Sequence, residues 1–193
     1  MNKRLFTIIV AIFSLISCNQ PRKIVTDVPI KANILGVELC EKMTFNEVQN
    51  ALYDNCDNYV YFYTETCKVG NVEVYSFIET VSDSFIFGGL SWLQFDTCIS
   101  KNFGVYKVRL VGSFESLEGA KKQYDSAVEI FTQKYGKGNV RENYIFWTDN
   151  VNSVKLSYEK SSAKDGSDRS FCMLSYSNNA LEEKVKSENQ PDI

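Results

Sequence analysis

Apolar residues recur along this chain with two alternating periods. At Phe45, Val48, Ala51 and Leu52 the spacing is helical and marks one face, which predicts a helix from about Phe45 to Tyr53. Thr44-Phe45-Asn46-Glu47 before it fits a capping box, in which Thr44 caps a backbone N–H and Glu47 reaches back. Met43 can staple against Val48. A longer helical stripe joins Ala120, Tyr124, Ala127, Val128, Phe131 and Tyr135, with Lys121, Lys122, Asp125 and Glu129 opposite. Ser113 or Ser116 can cap its start, and Gly136 ends it at a left-handed cap position. Elsewhere the period is two. Tyr59–Glu65, Val72–Glu79, Ser84–Leu90, Trp92–Thr97 and Val105–Val111 read as strands, the last with Tyr106, Val108 and Leu110 opposed to Lys107 and Arg109. Arg141–Thr148, Ser153–Lys160 and Ser170–Tyr176 follow in the same way. Ile34–Leu39 is a short apolar stretch leading into the first helix. From Leu181 the chain is charged without a sustained apolar face, which predicts a short frayed helix and a loose tail.

The order is helix, several strands, helix, three strands. It predicts an α+β fold: an antiparallel sheet with two main helices packed on one face, as two related helix-then-strands halves.

The first segment follows neither period. Lys3 and Arg4 precede twelve apolar or weakly polar residues, Leu5–Ile16. At about 1.5 Å per residue that run spans only about 18 Å, too short for a bilayer core of about 30 Å. Basic residues, a short apolar run and a small residue at its end describe a secretory signal. An N-terminal core helix is the alternative, but the run is apolar all round. Leu15-Ile16-Ser17-Cys18, within "LISCNQ", resembles the lipobox of bacterial cell-envelope lipoproteins. The resemblance implies diacylglyceryl transfer to the Cys18 sulfur, cleavage after Ser17 and acylation of the new amino group. Two or three acyl chains anchor stably, at about 0.8 kcal/mol per buried methylene. Asn19 after the cysteine resembles an outer-membrane address, and Asn19–Lys23 lacks the acidic run resembling a surface-export tag of Bacteroidetes lipoproteins. The expected organisation is a removed signal over 1–17, lipidated Cys18 and a tether with Pro21 and Pro29 over 18–33, one α+β domain over 34–180, and a charged tail over 181–193. The expected location is the outer membrane, facing the periplasm.

Composition narrows the chemistry. Cleavage would remove two of 21 basic residues, leaving 19 against 24 acidic ones. That mildly acidic balance argues against nucleic acid as a partner. The length suits a single domain, and 13% aromatics with three prolines argue against disorder over most of it. There is no histidine. Its absence removes Ser-His and Cys-His nucleophile pairs, His-bearing zinc sites and the usual base near neutral pH. Apart from Cys18 the cysteines are Cys40, Cys56, Cys67, Cys98 and Cys172. Cys56 and Cys67 are the best local pair for a disulfide in an exported chain; alternatively all five are small buried apolar residues. No CxxC occurs, which disfavours a redox motif or a four-cysteine zinc site. No cofactor or metal is expected.

"ILGVELCEKMTFNEVQNAL" resembles the opening of envelope modules of the SmpA/OmlA and β-lactamase-inhibitor-protein-like group. Phe131–Tyr176, with "FTQKYGKGN", "FW", "VKLSY" and "LSY", is similar to the second half of Bacteroidetes lipoproteins with such a fold. The resemblance implies a binding or assembly role and carries over no functional residue.

Three motifs have plain structural readings. Ser161-Ser162-Ala163-Lys164 matches S-x-x-K, but it lies in a polar turn-rich stretch without S-D-N or K-T-G companions. Gly136-Lys137-Gly138 follows a helix rather than opening one, so the helix dipole is wrong for an anion. Asp165-Gly166-Ser167-Asp168 lacks EF-hand spacing and suits a hairpin turn. Tyr59, Tyr61 and Tyr63 alternate along one strand and can line an open sheet face, with Tyr75 and Phe77 joining from its neighbour. Cross-strand packing for stability is the competing reading. Trp92 and Trp147 are expected in the core. The leading function is a membrane-anchored binding or scaffolding module for a protein or polymer partner. Its rivals are a carboxylate-dependent hydrolase of envelope polymers and an inhibitor of an envelope enzyme. Paired acids in a deep cleft would favour the hydrolase.

Overall fold

A computed structural model of the chain describes residues 23–56, 62–79, 85–162 and 168–188. Its elements are β1 (Asn33–Ile34), β2 (Val37–Glu38), α1 (Phe45–Asn55), β3 (Phe62–Val69), β4 (Val72–Glu79), β5 (Phe85–Phe87), β6 (Leu90–Trp92), β7 (Gln94–Ser100), β8 (Gly104–Phe114), α2 (Leu117–Tyr135), β9 (Asn139–Arg141), β10 (Tyr144–Thr148), β11 (Asn152–Ser162), β12 (Asp168–Asn178) and α3 (Asn179–Glu188). Eight strands form one antiparallel sheet in the order β3-β4-β7-β8-β12-β11-β10-β9. The fold is thus mixed α and β around a large antiparallel sheet, as the patterning predicts. Two antiparallel runs, β3-β4-β7-β8 and β9-β10-β11-β12, are linked by α2. Their last strands, β8 and β12, pair at the centre.

Strict alternation makes that centre two-faced. Val108, Leu110, Cys172, Leu174 and Tyr176 are buried, while Lys107, Arg109, Met173 and Ser175 between them are partly exposed. On the buried face α2 inserts Ala127, Phe131 and Tyr135. Phe131 lies 5.7 Å from the Trp147 ring and 6.4 Å from that of Tyr176. Trp147 donates its indole N–H to the Gly136 carbonyl at 2.9 Å, so the helix end is tied to the core beneath it. Fully burying each large apolar side chain contributes about 1.5–3 kcal/mol. Both tryptophans are core residues, Trp92 with 0% and Trp147 with 1% exposure.

The capping box forms at α1: the Thr44 hydroxyl accepts from the Glu47 N–H, and the Glu47 carboxylate accepts from the Thr44 N–H at 2.7 Å. Val48 and Leu52 are buried, and Phe45 packs its ring 5.4 Å from Tyr75 and 5.5 Å from Phe77. The β1–β2 turn lies against this helix. Gly36 has φ of +83°, and a Cβ there would sit 2.5 Å from Asn55 Nδ2, so both backbone and space require glycine.

Four stretches differ from the sequence expectation. The apolar stretch 34–39 folds back as the β1–β2 hairpin. Ser84–Leu90 yields not one strand but the start of a hairpin, β5–β6, turned by Gly88 and Gly89 at φ of +62° and +72°. Arg141–Thr148 likewise divides into β9 and β10, which pair with each other. The frayed helix expected near 181 is α3, ten residues long and fastened to the sheet through buried Val185. Its polar periphery hid the anchor, since apart from Val185 it is held by polar contacts, among them Lys107 to Glu182 and Asn102 to Glu188.

The expected tether also ends earlier than its composition suggests. From Ile24 to Ile30 it is strapped along the β9–β10 edge. Asn139 accepts from the Ile24 N–H and donates to the Ile24 carbonyl, Thr26 N–H reaches the Thr148 carbonyl at 2.8 Å, and Ile30 N–H reaches Asp149 Oδ2 at 2.7 Å. The strap covers a sheet edge that would otherwise present unpaired backbone groups.

Candidate functional site

The face of the sheet opposite α2 brings polar, charged and aromatic side chains of several strands together. Register lines its residues up across seven strands. One row runs Tyr144, Ser157, Met173, Val111, Gln94, Ile78 and Tyr63. The next runs Phe146, Lys155, Ser175, Arg109, Asp96, Ser76 and Glu65. One end of this face is covered by α3, which sets Val185 against Val72 and Cys98, flanked by Tyr106.

The electrostatics are set by one buried acid. Asp96 is fully buried, and Arg109 Nε donates to its Oδ2 at 2.7 Å while Gln94 Nε2 donates to its Oδ1 at 2.6 Å. The Arg109 side chain keeps 39% of its exposure, so the guanidinium bridges the sheet interior and the open surface. Lys155 holds its ammonium 3.9 Å from the centre of the Tyr144 ring, a cation–π geometry. Phe146 lies 6.0 Å from the same ring. Burial, with Lys107 and Lys186 nearby, pushes Lys155 below the usual lysine range. Glu182 of α3 accepts from Lys107 at 3.2 Å. Burial opposes its ionisation, but Lys107, Lys186 and the Ser177 hydroxyl outweigh that and hold it below the ordinary carboxylate value.

Tyr144 and Lys155 border a shallow depression of about 770 Å³, which Arg141, Ser157 and Met173 line as well. Glu142 and Glu159 also line it, and both are exposed. The surface offers cations, hydroxyls, two aromatic rings and a thioether on a rigid sheet. That mixture suits recognition of a partner carrying acidic and apolar groups.

The residues singled out from sequence are distributed differently. Cys18, Tyr59 and Tyr61 lie outside the described residues. Tyr63 occupies the β3 position opposite Ile78, in the first row. Tyr75 and Phe77 are corrected: they pair with Thr66 and Thr64, out of phase with Tyr63, and are buried against Phe45. The physical reason is that α1 supplies an aromatic ring to the opposite phase of β4. No disulfide forms among the described residues. Cys56 is the C-cap of α1, its N–H reaching the Leu52 carbonyl at 2.9 Å, and Cys67 is exposed on β3. Cys98 and Cys172 are buried, and burial pushes the Cys172 thiol up to about 12. Ser161 lies exposed on β11 and Ser162 pairs with Asp168 on β12, so both serines are strand residues, while Ala163, Lys164 and 165–167 lie outside the described residues. Gly136 is the C-cap of α2 with φ of +77°.

Sequence reasoning missed Asp96, Arg109, Tyr144, Phe146, Lys155 and Met173. Each lies in a recognised strand pattern; what the pattern lacks is the register that brings residues of five strands into two adjacent rows. Among the described residues no group of three or more Cys, Asp or Glu side chains is placed to hold a metal ion. No helix among them is long and apolar enough to cross a membrane. No protein-family model, curated protein or solved structure matches the chain.

Proposed function

We propose that the chain is a lipid-anchored envelope lipoprotein, moored through Cys18, that binds or scaffolds a protein or polymer partner on the open face of its sheet. The row Phe146, Lys155, Ser175, Arg109 and Asp96 carries the reading. It places two cations either side of a hydroxyl, beside the Tyr144 and Phe146 rings. Two inter-strand steps separate Lys155 from Arg109, about 9–10 Å, a spacing that suits acidic groups along an extended partner. The partner is therefore one presenting carboxylates or phosphates together with apolar surface. The lipobox-like Leu15–Cys18 supports the anchor, and Asn19 supports an outer-membrane position facing the periplasm. The same reading puts α1 and α2 together behind the sheet as two related halves, with the contacts of Phe45 and Phe131 as its support. The likeness of the α1 segment to small envelope modules belongs to it as well.

The test is a crosslinked pull-down from membranes, with wild type set against Tyr144→Ala and Lys155→Glu. Both side chains are at least partly exposed, so the fold tolerates the changes. Recovery of the same partner should fall at least about tenfold with Lys155→Glu, since a reversed charge at a contact costs more than about 1.4 kcal/mol. Undiminished recovery with both variants discards the open face as the binding surface.

A further inference from the structure

Among the described residues nine large apolar side chains are well exposed, and five of them, Ile24, Val25, Val28, Val140 and Val151, belong to one edge of the molecule. Hydrogen bonds fix their proximity. Ile24 is bound on both sides of its peptide group to Asn139, the neighbour of Val140. Val28 lies between Thr26 and Ile30, which bond to Thr148 and Asp149, and the Asp149 carboxylate also accepts from the Val151 N–H. The strap from Ile24 to Val28 is thus bordered by Val140 at one end and the Val151 turn at the other. At about 3.3 Å per residue it is about 13 Å long. Val140 is 71% and Val151 60% exposed among the described residues. Single exposed apolar residues are ordinary; a concentration at one edge marks a surface with a partner.

The chain itself says which partner. We infer that this edge seats on the lipid bilayer surface, with Ile24, Val25, Val28, Val140 and Val151 dipping into the headgroup region. The inference rests on the reading of Cys18 as the acylated residue. Cys18 precedes Lys23 by five residues, which span at most about 18 Å when fully extended. Lys23 adjoins the strap, so an anchored sulfur holds this edge within about 18 Å of the membrane. Lys23, Lys31 and Arg141 lie in or beside it with Asp27, Asp149 and Glu142, so charge is balanced there and the apolar residues supply the preference. The open face of the sheet then stands roughly across the membrane plane, accessible from the side.

Tryptophan placed at the edge tests this in the full, acylated chain. Trp92 and Trp147 are buried and give a constant background. Val140→Trp is compared with Leu117→Trp at the opposite end of α2, a helix of 19 residues and so about 28 Å long. Each is reconstituted in vesicles of phosphatidylethanolamine and phosphatidylglycerol containing phosphatidylcholine brominated on shallow acyl carbons. The added emission of Val140→Trp should be quenched about twofold, as for a side chain within about 5–10 Å of the headgroup–acyl boundary, and that of Leu117→Trp should not change. Val151→Trp gives the same readout from a turn and guards against disturbance of β9. Fatty-acid labelling of the same preparations separates the two failures. A labelled chain unquenched at both edge positions overturns the seating and leaves the anchor standing; an unlabelled chain removes the anchor and the seating with it.

Discussion

Asp96 shows how one side chain can tie the interior of a sheet to its surface. A carboxylate with no exposure survives only if its charge is answered, and Arg109 and Gln94 answer it. Arg109→Leu should therefore cost about 3 kcal/mol, because it leaves a buried charge with only an amide partner, while Asp96→Asn combined with Arg109→Leu should recover part of that loss. Urea unfolding midpoints of the single and double variants measure it; equal losses in both would remove the charge argument. Glu182 gives a pH-dependent counterpart. Its folded value lies below the ordinary 4.5, so its stabilisation is complete above that pH and is lost as pH falls through the lower folded value. Acidification through that lower value should loosen α3, seen as faster amide exchange in Val185 and its neighbours, and Glu182→Gln should remove this contribution to the pH dependence. Neither residue announced itself in the sequence. An aspartate or a glutamate in a strand or tail pattern looks solvated until register and docking supply its cation.

At the scale of elements, local chemistry was legible where it was sufficient. The capping box of α1, the Ser116 cap and Gly136 end of α2, and the alternation of β4, β8, β11 and β12 are each decided within a dozen residues. The strap was not legible, because its hydrogen bonds go to residues more than a hundred positions away and its composition resembles a linker. Asp149 is its principal fastening, accepting from the Ile30, Val151 and Asn152 N–H groups. Asp149→Ala should release the strap at a cost of about 2 kcal/mol, with exchange at Ile30 accelerating while that at Leu110 is unchanged locally. Uniform acceleration of both would mean that the strap unfolds only with the whole domain. Thr44→Ala should weaken α1 by about 1 kcal/mol through loss of its cap, again read from denaturation midpoints.

For the whole molecule, the sequence conveyed a two-faced sheet but not which residues share the open face. The tyrosine cluster was assembled from adjacent strands by analogy of spacing, and the phase of β4 separates Tyr75 and Phe77 from Tyr63. The face instead draws on β7, β8, β10, β11 and β12, strands contributed by both ends of the chain. Burial on one side and a mixed polar and aromatic surface on the other follow from the same alternation, with Lys155 the cation of its row that no acid within that row answers and Arg109 answered by Asp96. The most direct test is in-cell photocrosslinking. A photoreactive amino acid replaces Ser157 on the open face or Lys122 on the solvent side of α2. A discrete adduct is expected from position 157 and none from position 122; an adduct from position 122 alone would rule out the open face as the binding surface.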